Sequence, residues 1–195
     1  MLWKLLSTCK AVPSRAFSES SGRLPVGVNF RPVSENDLAF LKQLYTSTRQ
    51  REMELVDWTH AQKDQFLTQQ FEAQHSFYFE QFRTAEFLVI EKDAKPIGRV
   101  YVDRREDEIR LIDIILLTKV RGEGLGKKLI EELLIESRAC GLPVTIHVEK
   151  YNPAMRLYLG LGFRPIEAQG AYDQGIYDLL EWQPGKQGKN SGLTG

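Results

Sequence analysis

Cysteine, long apolar runs and any excess of one charge are what this sequence has least of. Only two cysteines, Cys9 and Cys140, occur in 195 residues. They lie far apart and neither has metal-ligand spacing around it, so neither a disulfide framework nor a zinc site is expected, and a reducing compartment is the default. No apolar stretch approaches the roughly 20 residues that a membrane span requires. The 26 basic and 26 acidic side chains cancel. With no global field, and no basic stripe interleaved with aromatics, neither nucleic acid nor a membrane is expected as a partner. No internal repeat or low-complexity linker divides the middle of the chain.

What is present is 42% hydrophobic residues, enough for one packed domain, which we place at residues 28–183. The preceding stretch, residues 1–27, carries Lys4, Lys10, Arg15 and Arg23 against the single acid Glu19, with several serines. That composition reads as a disordered extension or, alternatively, a mitochondrial transit peptide. The cytoplasm is the expected location, with the mitochondrial matrix as the alternative if the extension is a transit peptide. Residues 184–195, polar and glycine-rich, read as a disordered tail.

Within the domain, "NFRPV" (29–33) reads as a strand, and Ser34 with Asp37 resembles a capping box opening a helix through Tyr45. "TRQREMELVDW" reads as a loop or short helical turn. Thr59 to Phe82 carries Phe66, Leu67, Phe71, Phe77, Tyr78 and Phe82 at broadly helical spacing, which points to core packing. "EFLVIE", "IGRVYVDR" and "IRLIDIILL" are three consecutive strands, with a turn at "KDAKP" and a polar link at "REDE". The last of them is so apolar that it should be central. A helix with Leu125, Leu129, Ile130, Leu133 and Leu134 on one face follows, with Gly141 past its end as a C-cap. "PVTIHVE" is a strand, "NPAMRLYLGLGF" holds a short helix, and "FRPIEAQ" and "GIYDLLEW" are closing strands. The expected class is α/β, a single mixed, mostly antiparallel sheet around one βαβ crossover and flanked by helices.

Between the apolar strand and the amphipathic helix lies "TKVRGEGLGKKLIEEL" (118–133), with glycine at 122, 124 and 126. Repeated glycines let backbone N–H groups converge on one anion, and a helix N-terminus adds its positive dipole end, so a phosphate is the physical candidate. A P-loop needs four residues between its first two glycines, then Lys and Ser or Thr; three separate Gly122 from Gly126, and Lys128 stands where the hydroxyl should be. A dinucleotide fingerprint needs a third glycine where Lys127 stands, although Glu149 sits at a strand end where a ribose-binding acid belongs.

"RGEGLG" (Arg121 to Gly126) matches R-x-x-G-x-G, and "NPAMRLYLGLGF" (Asn152 to Phe163) looks like N-x-x-A-x-x-x-Y-x-x-x-G-F, with one residue fewer between Asn152 and Ala154. With both in order, separated by one helix and one strand, the chain resembles the GNAT N-acetyltransferase superfamily over about residues 29 to 182. The resemblance implies the GNAT fold and transfer of an acetyl group from acetyl-CoA to a primary amine of a small molecule or protein, by direct attack. A non-catalytic acyl-CoA-binding or regulatory module on the same fold is the alternative. The resemblance also allows a homodimer.

By the same resemblance, the backbone of Arg121, Gly122, Glu123, Gly124, Leu125, Gly126 and Lys127 takes the pyrophosphate, and the backbone at Leu116 and Leu117 pairs with the pantetheine arm as an extra strand would. Glu123 can turn to solvent. Asn152 either meets the pantetheine or caps the helix after it. An alkyl amine is protonated at neutral pH, so attack requires a base or a water relay; Asp113 is the first candidate and Glu149 the second. Tyr158 occupies the family's general-acid position opposite the leaving thiolate. His147 alternates with Val148 and reads as a satisfied core histidine. Cys140, near a helix C-terminus, where the dipole disfavours a thiolate, reads as inert. The loop from Thr46 to Trp58 would flank the acceptor pocket, bringing Arg49, Glu52 and Glu54 near substrate. No metal ligands are expected.

Overall fold

The computed structural model describes Phe17, residues 24–166 and residues 176–185. The transit-peptide reading of residues 1–27 and the tail at 184–195 therefore lie almost wholly outside the described residues. Phe17 is an exception: it is 4% exposed and its ring stacks on Phe30 at 4.7 Å, in the main core.

Seven strands form one sheet in the order β1-β2-β3-β4-β5-β7-β6. They are β1 (Val28–Pro32), β2 (Glu86–Lys92), β3 (Lys95–Arg104), β4 (Ile109–Leu116), β5 (Val144–Glu149), β6 (Arg164–Ile166) and β7 (Tyr177–Trp182). Every neighbouring pair is antiparallel except β4 and β5. That parallel pair needs a crossover, which the helix α3 (Leu125–Cys140) supplies. The β2–β3 hairpin turns through Asp93 and Ala94, both left-handed at φ 51° and 58°, as a two-residue turn matched to strand twist requires.

Helix α1 (Leu38–Glu54) runs on past Tyr45 and takes in most of the segment expected as a loop. Its start is as read: the Ser34 N–H and hydroxyl both donate to the Asp37 carboxylate, each at 2.8 Å. Arg49, Glu52 and Glu54 are thus on a helix. Thr59 caps α2 (His60–Gln81) by accepting from the Gln62 N–H, and Gln62 Oε1 accepts in return from the Thr59 N–H. A short helix, α4 (Met155–Gly160), precedes β6.

Side chains alternate across the sheet, so each strand feeds two different layers. On one face Leu125, Leu129, Ile130, Leu133 and Leu134 of α3 pack on Val100, Val102, Leu111, Val144 and Ile146. Leu41, Tyr45, Leu67 and Phe71 join α1 to α2 in a second cluster, and α1 rests on β3 and β4. Among the described residues no helix is long and apolar enough to cross a membrane, and no group of His, Cys, Asp and Glu could hold a metal ion.

Candidate functional site

The parallel pair is joined only at its start. Ile109 pairs with Val144 and Arg110 with Thr145, and beyond them β4 and β5 part. The register of β3 on β4 shifts at Tyr101/Val102, a bulge that re-aims β4 just before Asp113. A wedge-shaped gap therefore opens toward Leu116 on one side and Glu149 on the other, in the middle of the sheet.

The glycine loop stands at the Leu116 side of that gap. Gly122 and Gly124 have φ of 83° and 82°, a region that L side chains avoid, and a Cβ at either would meet no atom within 4 Å. These glycines therefore do not serve close packing; they turn the backbone and leave the space before it open. Gly124 is the N-cap of α3 and no side chain caps that end, so its first N–H groups remain for an anion. Arg121 donates from Nε to the Leu116 carbonyl at 2.6 Å and reaches Ser47 Oγ at 3.4 Å; partial burial with no opposing carboxylate pulls its pKa down. A guanidinium held by main chain and a hydroxyl, beside an uncapped helix, suits a phosphate. Glu123 is exposed, 3.9 Å from Lys92 Nζ. Lys127 is exposed as well, 3.7 Å from Glu131. Leu125 is buried in the main core, and Gly126 sits beneath it in the first turn of α3, near Leu116. The Leu117 N–H donates to the Ile97 carbonyl at 2.8 Å, away from the gap.

Asp113 projects to the α1–α2 face with Tyr101, its partner on β3. Arg99 Nε donates to Asp113 Oδ2 at 2.7 Å, and Arg99 NH2 lies 2.6 Å from the same oxygen. Arg99 is 1% exposed and also donates to Gln74 Oε1 at 2.9 Å; burial works against its charge, but Asp113 more than offsets this, and its pKa is held above the ordinary value. Tyr158 is 4% exposed and packs edge-on against Phe163. Burial first, and the Asp113 charge second, push its phenol above the ordinary tyrosine value. Tyr78 is raised by the same two causes, and burial pushes Tyr101 up to about 12. Asp113 is thus the centre of a buried tyrosine group, gripped on one oxygen by an arginine that sequence reasoning did not single out. Alternation with Val100 places Arg99 on the Tyr101 face of β3, but its pairing with Asp113 depends on the β3–β4 register and bulge, which the sequence does not signal.

Glu149 ends β5 on the other side of the gap. Its Oε1 accepts from Arg49 at 2.9 Å and from the Tyr177 hydroxyl at 3.4 Å. Arg49 also donates to Glu52 at 3.0 Å and lies over the Tyr45 ring. Helix α1 consequently bridges the mouth of the gap, through Ser47 to Arg121 and through Arg49 to Glu149. His147 does not join the core with Ile146 and Val148. It lies on the opposite face against Arg110, where burial first and Arg110 second lower its pKa to about 4. Asn152 Oδ1 accepts from the Ala154 N–H at 2.9 Å in the turn before α4, whose N-cap is Ala154 with no side-chain cap. Cys140 ends α3 and is not a free thiol.

With this geometry in view, the comparisons with known proteins decide the family. The model of the acetyltransferase (GNAT) family matches residues 40–163. The chain belongs to the GNAT acetyltransferase family. It is an N-acetyltransferase by membership, and acetyl-CoA is its acyl donor. Solved structures share the fold at low identity. PaiA N-acetyltransferase from Thermoplasma acidophilum, in complex with coenzyme A, has a TM-score of 0.58 at 15% identity over 80% of this chain and 98% of that one. An acetyltransferase from Streptococcus agalactiae gives 0.56 at 19% identity, over 82% and 99%. The ribosomal-protein-S18-alanine N-acetyltransferase from Escherichia coli gives 0.55 at 17%, over 84% and 97%. No curated protein sequence matches the chain. The open cradle before Gly122 and Gly124 fits the pyrophosphate of a GNAT acyl donor, so the acetyltransferase has residues suited to its cosubstrate.

Proposed function

We propose that this acetyltransferase moves the acetyl group of acetyl-CoA to a primary amine that enters from the α1–α2 face. The observation that carries this is the uncapped, glycine-led start of α3 opening on the gap between β4 and β5, with Asp113, Glu149 and Tyr158 around that gap. Acetyl-CoA supplies an activated thioester. The Arg121–Lys127 backbone binds its pyrophosphate, with the Arg121 guanidinium beside it. The backbone at Leu116 and the Asn152 amide flank the pantetheine.

The amine loses its proton to Asp113, directly or through a water, with Glu149 the second candidate. Arg99 occupies Oδ2, so Oδ1 is the atom that takes the proton. Tyr158 faces the departing sulfur. A phenol raised above its ordinary value stays protonated across neutral pH, and it is a stronger hydrogen-bond donor in role than a full proton donor, because a thiol ionises near 8.5 and a tyrosine near 10 even before burial. Its part is to stabilise the thiolate. Thiol release from acetyl-CoA, followed against a panel of amines, tests the reading; acetyl-CoA binding without thiol release for any amine would refute it. The catalytic unit we propose is residues 28–183, acting in the cytoplasm, or in the mitochondrial matrix if residues 1–27 are a transit peptide.

A further inference from the structure

The two carboxylates at the gap each already carry an arginine: Asp113 has Arg99 and Glu149 has Arg49. A site for a polyamine or a strongly basic segment would present carboxylates unopposed, because each added positive charge must be met. Here positive and negative groups alternate around the mouth. Arg49 and Glu149 are the pair that substrate can reach, with side chains 25% and 32% exposed.

Both members of the pair have bonding capacity left. Arg49 uses NH2 for Glu149 and NH1 for Glu52, two of the five N–H donors of a guanidinium. Glu149 receives both Arg49 and Tyr177 on Oε1, and among the described residues Oε2 has no hydrogen-bond partner. Burial works against the Arg49 charge, but Glu149 and Glu52 hold its pKa above the ordinary value, and the Tyr45 ring lies 5.8 Å from its guanidinium carbon. A fixed, always-charged fork beside a carboxylate oxygen is complementary to a molecule with a carboxylate next to an ammonium.

We propose that the acceptor is a small zwitterion, a free α-amino acid or close analogue, whose carboxylate Arg49 receives while Glu149 Oε2 holds its ammonium at the mouth of the gap. The inference rests on the acetyl-transfer reading above and assigns its substrate class. Arg49 then sets specificity. An amine without the carboxylate leaves part of the guanidinium unmatched, and a peptide N-terminus has no carboxylate to offer there.

The test uses the full chain with saturating acetyl-CoA and follows thiol release with the twenty protein amino acids. Each active one is compared with its decarboxylated amine and its amide, alongside spermidine and a short peptide amide. At least one amino acid should be acetylated, with kcat/KM about 10²-fold above its decarboxylated amine, the scale expected for losing one hydrogen-bonded contact between charged groups. Arg49→Ala should raise KM for that amino acid far more than it lowers kcat and erase the preference, and Arg49→Lys should regain part of it. The proposal is overturned if no amino acid is acetylated, if the amine, amide, spermidine or peptide is used as well or better, or if Arg49→Ala leaves KM and the preference unchanged. Should Arg49→Ala fail to fold, the matched substrates on the unaltered protein decide alone. Calorimetry with acetyl-CoA separates the two levels: binding without amino-acid turnover removes only this inference, and no binding removes the acetyl-transfer reading with it.

Discussion

The role proposed for Tyr158 depends on a hydroxyl being present and protonated, and burial favours the second condition by raising its pKa. Tyr158→Phe should lower kcat by about 10²-fold, the lower end of what removing one preorganised hydrogen-bond donor costs, with little change in stability because ring packing on Phe163 is retained. The same shift predicts that kcat shows no fall from this phenol between pH 6 and about 10; kcat measured across that range for both proteins checks it, and equal turnover at every pH would remove Tyr158 from the mechanism. His147 gives a second pH prediction. Its folded pKa of about 4 lies below the ordinary 6.5, so between those values the unfolded chain binds more protons than the folded one, and stability falls as pH drops from 6.5 toward 4. Thermal unfolding across that window should show the slope, and His147→Gln, which keeps an acceptor for Arg110, should flatten it. Tyr158 could be found from the sequence because its motif spaces it from Ala154 and Gly162. The Arg99 grip on Asp113 could not, since it depends on the β3–β4 register and on a bulge that no local residue preference signals.

At the scale of elements, the loop and helix that carry the proposed phosphate site are held by different forces. The start of α3 depends on backbone shape: Gly122 and Gly124 sit at positive φ with open space before them. Gly124→Val puts a branched side chain into that space, and titration calorimetry should show acetyl-CoA affinity falling by more than tenfold, with a stability cost of about 1–2 kcal/mol for the left-handed residue. The body of α3 depends on burial. Leu133 is 1% exposed in the main core, and Leu133→Ala should cost about 2–5 kcal/mol by denaturant unfolding. Strand and helix periods were plain enough that all seven strands and the main helices were legible. The C-terminal half of α1 was not, because "TRQREME" is polar on nearly every side; its helix is supported by Arg49 and Ser47, which meet Glu149 and Arg121, 100 and 74 positions away in sequence.

The whole molecule turns on one departure from regularity, the parting of β4 and β5 after Arg110 and Thr145. Six strand pairings, a crossover helix and two helices on the opposite face hold the sheet around it, and α1 closes its mouth through Ser47 and Arg49. A ligand filling that gap should stabilise the fold: at a concentration a hundred times its dissociation constant it contributes about 2.7 kcal/mol, a rise in Tm of roughly 5–10 °C for a domain of this size. The measurement that bears most directly on the account is a calorimetric titration of the full chain with acetyl-CoA, run beside NADH and ATP. One acetyl-CoA should bind per chain, with NADH and ATP far weaker. No heat with acetyl-CoA, or equal binding of all three, would contradict the assignment of the glycine loop and the gap to an acetyl-CoA site.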